Sequence, residues 1–459
     1  MSPPPSLRHS RGSLGLTTLL VLTALAVSCK PRERAAPVPD STATAKRADS
    51  VAIQLPPGFT ISLFADRIGF ARHVVVAPNG DVYVNTWRSP YDTSKSVPPG
   101  GYVVALRDTN QDGKADLIER FGPTRESGSH GGTGIALANG VLYVESDSSI
   151  LRFALSPNQL APGAAAEVLL TGLTTIGEHP QHSVAVDTAG HLFVTVGSAT
   201  NSCQVKNRVP ESPGERPCRE LATRAGVWRY SATRMGQHFG PRERYATGLR
   251  NAVGIAVNPV DGQVYATVHG RDDLWGNWPK LYTAHQGAEL PAETLVRLVQ
   301  GGDYGWPYCY FDPTIGKLVL APEYGGDGKR IGECDKRTPP VAAFPAHWAP
   351  DGLTWYAVTG FPAQYRGGAF IAFHGSWNRA PEPQGGYNVV FQPFANGKPA
   401  GDFTVFADGF AGPNKQPNTA KYRPVGVAVS PDGALYVTDD QTGTVWKVVY
   451  RALAVSHQP

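Results

Sequence analysis

One phrase recurs along this chain and limits what it can become. An apolar strand leads into a turn of Pro, Asn, Asp or Gly, and a second apolar strand follows. The copies occupy residues 73–87 (HVVVAPNGDVYVNTW), 134–145, 183–197, 253–268 (VGIAVNPVDGQVYATV), 352–373 in a looser form, and 425–439 (VGVAVSPDGALYVTD). Within each half, side chains alternate with the period of two that marks a pleated strand. Imperfect copies spread over a whole chain specify a repeat architecture, and four-stranded sheets set radially leave only short, protected edges. Six copies predict an all-β fold, a six-bladed β-propeller with long inter-blade loops on one face. The early strand at 58–65 is placed to complete the blade that holds 445–450, closing the ring. With 51 Gly, 40 Pro and 17% charged residues, composition favours short strands and tight turns over helical bundles.

The first residues read as a bacterial export leader. Arg8 and Arg11 precede an apolar stretch at 14–27, too short to remain as a spanning helix. It ends in LAVSC, which resembles a lipobox, so 1–28 is expected to be a lipoprotein signal peptide, with Cys29 carrying lipid. Residues 29–55 lack periodicity and read as a disordered tether. The propeller is expected over 56–452, with a tail at 453–459. The protein is thus expected in the bacterial cell envelope, touching membrane only through its anchor. The net charge of +4 falls to about +2 without Arg8 and Arg11, and implies no nucleic-acid partner. Cys203, Cys218, Cys309 and Cys334 form an even set in an exported chain and suggest two disulfides. Three pairings are possible, of which Cys203–Cys218 and Cys309–Cys334 are the local ones. Residues 199–221 read as a loop between blades. The only helical pattern lies around 292–298, and 301–340 is an aromatic, Gly-rich insertion.

Chemistry is concentrated ahead of, or just after, the strands of the repeat. His179, between Glu178 and Pro180, stands on a loop before the 183–197 copy, where a histidine can serve as a general base. Arg250 and Asn251 precede another copy and offer a fixed donor fork and an amide. The stretch 374–379 (HGSWNR) follows a strand, and Lys421 and Arg423 precede the last copy. Cations converging from separate blades favour an anionic ligand. Apart from these, Asp108, Asn110, Asp112 and Glu119 fit the spacing of a calcium loop around Gly113, with Asp116 adding a carboxylate. Their flanks read as strand, so the expectation is a lone structural Ca2+ on a β-hairpin.

The stretches GLRNAVGIAV (248–257), GGDYGWPYCYFD (301–312), APEYGGDGK (321–329), HGSWNRAP (374–381) and RPVGVAVSPDGALYVTDD (423–440), in this order, resemble the soluble quinoprotein sugar dehydrogenases. Those enzymes use pyrroloquinoline quinone (PQQ), and the likeness is to their sorbosone and aldose dehydrogenase branch. The resemblance implies a six-bladed propeller, His179 as the base, and Arg250 and Asn251 at the PQQ. It also implies Lys421 and Arg423 as cofactor-binding cations. A lysine of the glucose branch has no counterpart, and Ser376, Asn378 or Arg379 takes its place, with Arg379 preferred. His130 replaces polar residues near the cofactor. The resemblance further implies Ca2+ on the PQQ, held by a loop that here reads Gly270, Arg271 and Asp272.

On this reading His179 removes a hydroxyl proton while PQQ accepts a hydride from a sugar or polyol-derived substrate. Arg250 and Ca2+ polarise the quinone, and Glu178 orients His179 or binds substrate. A cytochrome or a membrane quinone would collect the electrons. Two other readings stay open: a lactonase-like propeller hydrolase with an axial metal, and a non-catalytic propeller that binds glycans or proteins.

Overall fold

The computed structural model describes residues 53–88 and 98–452. The signal peptide, Cys29, most of the tether and the tail at 453–459 lie outside the described residues.

Six blades, each built on four antiparallel strands, surround one axis, and blades 2 and 3 each gain a short parallel edge strand, Gln237–His238 and Gly302–Asp303. Blade 1 comprises Ala71–Val76, Val82–Thr86, Gly101–Arg107 and Leu117–Thr124. Blade 2 comprises Ile135–Ala138, Val141–Ser146, Ser149–Ala154 and Glu167–Thr171. Blade 3 comprises Val184–Val186, His191–Val196, Gly226–Ser231 and Arg244–Thr247. Blade 4 comprises Ala252–Val257, Val264–Val268, Glu293–Arg297 and Ala342–Phe344. Blade 5 comprises Pro350–Trp355, Ala369–Phe373, Asn388–Gln392 and Thr404–Ala407. Blade 6 comprises Pro424–Val429, Leu435–Asp439 and Thr444–Tyr450. Its outer strand is Phe59–Ala65, paired antiparallel with Thr444–Tyr450, so the two ends of the repeat share one sheet as the sequence anticipates.

The recurring phrase has a packing cause. Inner strands of neighbouring blades approach so closely that a Cβ on Gly352 would stand 2.2 Å from Val425 O, and one on Gly426 would stand 2.5 Å from Arg72 O. Only glycine fits there. The threonine of the second strand ties the same seam. Thr267 Oγ1 accepts from Gly254 N and donates to Pro350 O, and Thr438 Oγ1 accepts from Gly426 N and donates to Arg72 O. The inner strands of blades 1, 4, 5 and 6 each carry a register irregularity at their start, which turns the entering residues toward the axis. Aliphatic side chains such as Val74, Ile135, Val184, Ile255, Leu353 and Val427 line the channel below.

Two expectations are corrected. The 292–298 stretch is not helical. Glu293–Arg297 is the third strand of blade 4, held between Val264–Val268 and Ala342–Phe344, so tertiary pairing overrides local propensity. The helices among the described residues are Leu274–Asn277 and Ala284–Glu289, the latter with a Thr283–Gln286 capping box. Residues 197–225 do not join two blades. They connect the second and third strands of blade 3, as 269–292 do in blade 4 and 374–387 in blade 5. In an antiparallel blade those connections emerge at the end where the first strands begin, so three insertions crowd one face. The cysteines form the local pairs Cys203–Cys218 and Cys309–Cys334.

Candidate functional site

At the crowded end, each blade contributes a polar side chain to the axis. Arg72 of blade 1 meets Asp440 of blade 6 at 2.7 Å and Asp351 of blade 5 at 3.4 Å. His269 after blade 4 lies 3.0 Å from Asp351, and His374 after blade 5 lies 2.9 Å from Asp440. Glu145 of blade 2 accepts from His182 at 2.9 Å and from the amides of Thr133 and Gly134. Burial pushes the Asp351 carboxyl up, but His374, His269 and Arg72 outweigh it and hold the group well below the carboxylate range. The axis is therefore capped by charge and not by hydrocarbon.

Next to this ring the structure brings His179, Arg250 and Asn251 together. A Cβ on Gly197 would meet His179 Cβ at 2.4 Å and Asn251 Oδ1 at 3.2 Å, so the glycine lets these two residues approach. His179 Nδ1 lies 3.0 Å from both Ser198 O and Ser198 Oγ. The Ser198 hydroxyl proton is already donated to Thr200 O at 2.7 Å. Both oxygens facing Nδ1 are thus acceptors, which assigns the ring proton to Nδ1 and leaves Nε2 with its lone pair. Burial, then the Arg250 charge, holds the His179 pKa well below the ordinary value. The imidazole is neutral at neutral pH.

Arg250 is almost fully buried and heavily committed. Its guanidinium donates to Asn201 O at 3.0 Å, Asn201 Oδ1 at 3.0 Å, Gly270 O at 2.8 Å and Asp272 Oδ2 at 2.8 Å. One of its five N–H groups remains. Glu178 does not touch His179. Both its oxygens bind Arg208, through Nε and Nη2 at 2.8 Å each, and Asn207 adds a contact at 2.6 Å. Arg208 also reaches Asp272 at 3.0 Å and Asp273 at 2.6 Å. It projects from the loop closed by Cys203–Cys218, and nothing in the repeat pattern marks it.

Several expected residues take other places. Arg379 turns away from the axis: it donates to Ala288 O, Ala346 O and Pro383 O and pairs with Glu289. Asn378, the next residue back, donates to Asp272 Oδ1 at 2.8 Å. Arg423 donates to His374 O at 3.2 Å and Gly375 O at 2.6 Å, and Lys421 stands over the Tyr422 ring. Neither has a carboxylate within ion-pair reach among the described residues. His130 is on the same face, its Nδ1 3.2 Å from Asp147.

The calcium expectations are not supported by the donor sets. At 270–272, Gly270 O already accepts from Arg250, and Asp272 O accepts from Asn201 and Arg271. The Asp272 carboxylate is bound by two guanidinium groups, which would repel a divalent ion placed beside them. Arg271 is itself buried against Glu323. In the blade 1 hairpin, Asp108, Asn110 and Asp112 accept from backbone amides of their own turn, and Asp116 accepts from Thr109. Glu119 sits in the strand and accepts from Ala161 N, away from the turn. Among the described residues, no group of three or more His, Cys, Asp or Glu side chains is placed to hold a metal ion.

Sequence reasoning passed over Arg72, Glu145, Asp351 and Asp440. One signal could have found some of them. With the copies aligned, a charged or imidazole residue closes the second strand in four: Glu145, His269, His374 and Asp440.

The sequence model of the TrAA12-like family matches residues 53–451. An uncharacterized protein of Borreliella burgdorferi is 30% identical over 213 residues, 46% of this chain and 50% of that protein, so the chain spans half the length of that relative. A pyrroloquinoline quinone-dependent sugar dehydrogenase of Hypocrea jecorina is 23% identical over 340 residues, 69% of this chain and 73% of its own length. Among solved structures, the iodide structure of the Trichoderma reesei carbohydrate-active enzyme of family AA12 aligns with TM-score 0.69 and 19% identity, covering 87% of this chain and 98% of that one. The holo form of the pyranose dehydrogenase PQQ domain from Coprinopsis cinerea aligns with TM-score 0.66 and 18% identity, covering 87% and 97%. At these identities the two structures establish the shared propeller fold.

Proposed function

The chain belongs to the TrAA12-like family, and on that premise we propose that it is a PQQ-dependent oxidoreductase of sugars, with an aldose or a sorbosone-like polyhydroxy aldehyde as substrate. One observation carries the assignment of the base. His179 is held by Ser198 as the Nδ1–H tautomer, with a free Nε2 on a partly open face beside Arg250 and Asn251.

PQQ is a flat, polycarboxylate quinone, and the cations here fit it. Lys421 and Arg423 form no ion pair among the described residues, so an anionic ligand would find two cations free to pair with it at the head of blade 6. These two residues would hold the cofactor, with Asn251 and the remaining N–H of Arg250. When bound, PQQ supplies the hydride acceptor, and that hard step is its own. The chain's residues do the rest. Oxidising a C–OH group to a carbonyl releases one proton as the hydride leaves carbon. His179 Nε2 accepts that proton, and Ser198 keeps the ring aimed by taking the Nδ1–H bond. The resulting imidazolium faces the Arg250 charge, so the proton is passed on readily to solvent. Glu178 is not the base, since Arg208 occupies both its oxygens; it fixes Arg208 against Asp272.

A cytochrome or a quinone is proposed as the electron acceptor, and export with lipid attachment at Cys29 as the location, on the leader pattern alone. Titrating purified protein with PQQ, followed by a sugar panel with an artificial acceptor, tests the reading. His179→Ala should keep PQQ binding and lose activity by a factor of about 10²–10⁴. Near-normal turnover in that variant would end the proposal.

A further inference from the structure

Pro180 and Gln181, next to the base in sequence, also line a groove of about 600 Å3 that runs across blade 2 to Trp87 at the end of blade 1. Its volume falls within the range of small-molecule sites, about 300–1,000 Å3. The floor is a rigid polar lattice at a strand turn. Ser129 Oγ donates to Asp147 Oδ2 at 2.6 Å, and His130 N donates to Asp147 Oδ1 at 3.0 Å. The His130 ring is half exposed, with Nδ1 on Asp147 and Nε2 facing no protein partner.

The acidic groups of the groove are tied to the chain: Asp147 accepts from Ser129 Oγ and His130 N, and Glu145 below accepts from His182 and two backbone amides. Beside them the groove presents neutral groups to solvent. The Gln181 amide and the Ser148 hydroxyl bond to no other protein group among the described residues. Trp87 contributes a half-buried indole. Neutral donors and acceptors on short side chains, with one aromatic face, match a polyhydroxylated ring: hydroxyls find partners and the C–H face finds the indole. An anionic ligand meets the Asp147 and Glu145 carboxylates there, and a peptide finds no apolar pocket for its side chains.

We infer that this groove is a glycan subsite, in which the sugar reaching His179 is the terminal unit of an oligosaccharide whose preceding units lie over blade 2. The inference rests on the sugar-oxidising reading for what happens at His179, but binding in the groove needs no cofactor. The two can therefore fail separately. Protein without PQQ is titrated with glucose, maltotriose and cellotriose by calorimetry, and PQQ binding is measured on the same preparation. At least one trisaccharide should bind tenfold or more tightly than glucose. Gln181→Ala and Ser148→Ala, both at accessible positions where folding is not at stake, should each reduce that ratio at least threefold. Trisaccharides binding no better than glucose, or a ratio unmoved by both substitutions, overturns the subsite. A chain-length preference in protein that fails to bind PQQ overturns the redox reading and leaves the groove standing.

Discussion

Replacing Asp272 with asparagine tests how this site manages its charges. The carboxylate is about 13% exposed and sits 2.8 Å from Arg250 and 3.0 Å from Arg208 through one oxygen. The other oxygen accepts from Asn378 at 2.8 Å. An asparagine keeps one acceptor and sets an NH2 in place of the other. That group then faces either two guanidinium groups or the Asn378 amide, and Arg250 loses its counter-charge while still buried. Removing one partner of a buried ion pair costs about 3–5 kcal/mol. Unfolding entropy is ~2.1 cal/mol/K per residue, or roughly 0.8 kcal/mol/K for a propeller of roughly 400 residues. The melting midpoint should therefore fall by about 4–6 °C, read by calorimetry at pH 7. Burial pushes the Asp272 pKa up, but Arg250 and its other partners outweigh this and hold it well below the ordinary value. A carboxylate depressed in the folded state stabilises above its unfolded pKa of about 3.9 and loses that contribution as pH falls through the folded value. The gap between the two proteins should thus be full at neutral pH and close in acid. A midpoint within 1 °C of the parent (a shift of under ~1 kcal/mol) would refute the reasoning. So would Ca2+ that raises the parent's midpoint and not the variant's, since the carboxylate would then be a metal ligand.

The acid limb of the pH–rate profile should lie below 6.5, because burial and Arg250 depress His179 and the base works only when neutral. A limb at or above 6.5 would separate His179 from the reaction. Glu178→Gln should change the melting midpoint by less than about 1 °C, because its pair with Arg208 is partly solvated and worth at most ~1 kcal/mol. Its kcat should fall by less than tenfold, and a loss as deep as that of His179→Ala would make Glu178 a participant in proton transfer. Joint replacement of Cys203 and Cys218 by alanine opens a loop with a sequence separation of 15. It should cost about 3 kcal/mol. Calorimetry should show a fall of about 4 °C, and an unchanged melting curve would mean the loop is fixed by Trp306 and Glu323 alone.

The fold was legible because its cause is local and repeated. Gly254, Gly352 and Gly426 each answer the same close approach of inner strands, so the same letters recur wherever that contact recurs. The closing strand was legible for a related reason: Phe59–Ala65 alternates as a strand yet has no partner nearby in sequence. His179, Arg250, Asn251, Lys421 and Arg423 could be placed on one end because each flanks a copy of the repeat. Arg208 and Glu323 could not. They sit in insertions whose path is set by packing among insertions, such as the Trp306 indole donating to Asn201 O and the Tyr308 hydroxyl accepting from Cys218 N. No periodicity records such contacts. The strand at Glu293–Arg297 was misread because its apolar pattern is compatible with either period, and only its partners decide.

A sequence counts cations, whereas a ligand responds to those left uncompensated. Arg72 is balanced by Asp351 and Asp440, Arg250 by Asp272, Arg271 by Glu323, Arg379 by Glu289, and Arg208 by Glu178, Asp272 and Asp273. Each pair, being local, contributes shape and rigidity but little long-range field. Lys421 and Arg423 differ: among the described residues their side chains form no ion pair, and they lie against the Tyr422 and Tyr387 rings and two carbonyl oxygens. A carbonyl dipole orients a guanidinium without cancelling its charge. The apparent ring of cations thus reduces to Lys421 and Arg423 at the head of blade 6. Arg250, paired with Asp272, offers a positioned N–H in place of a second free charge.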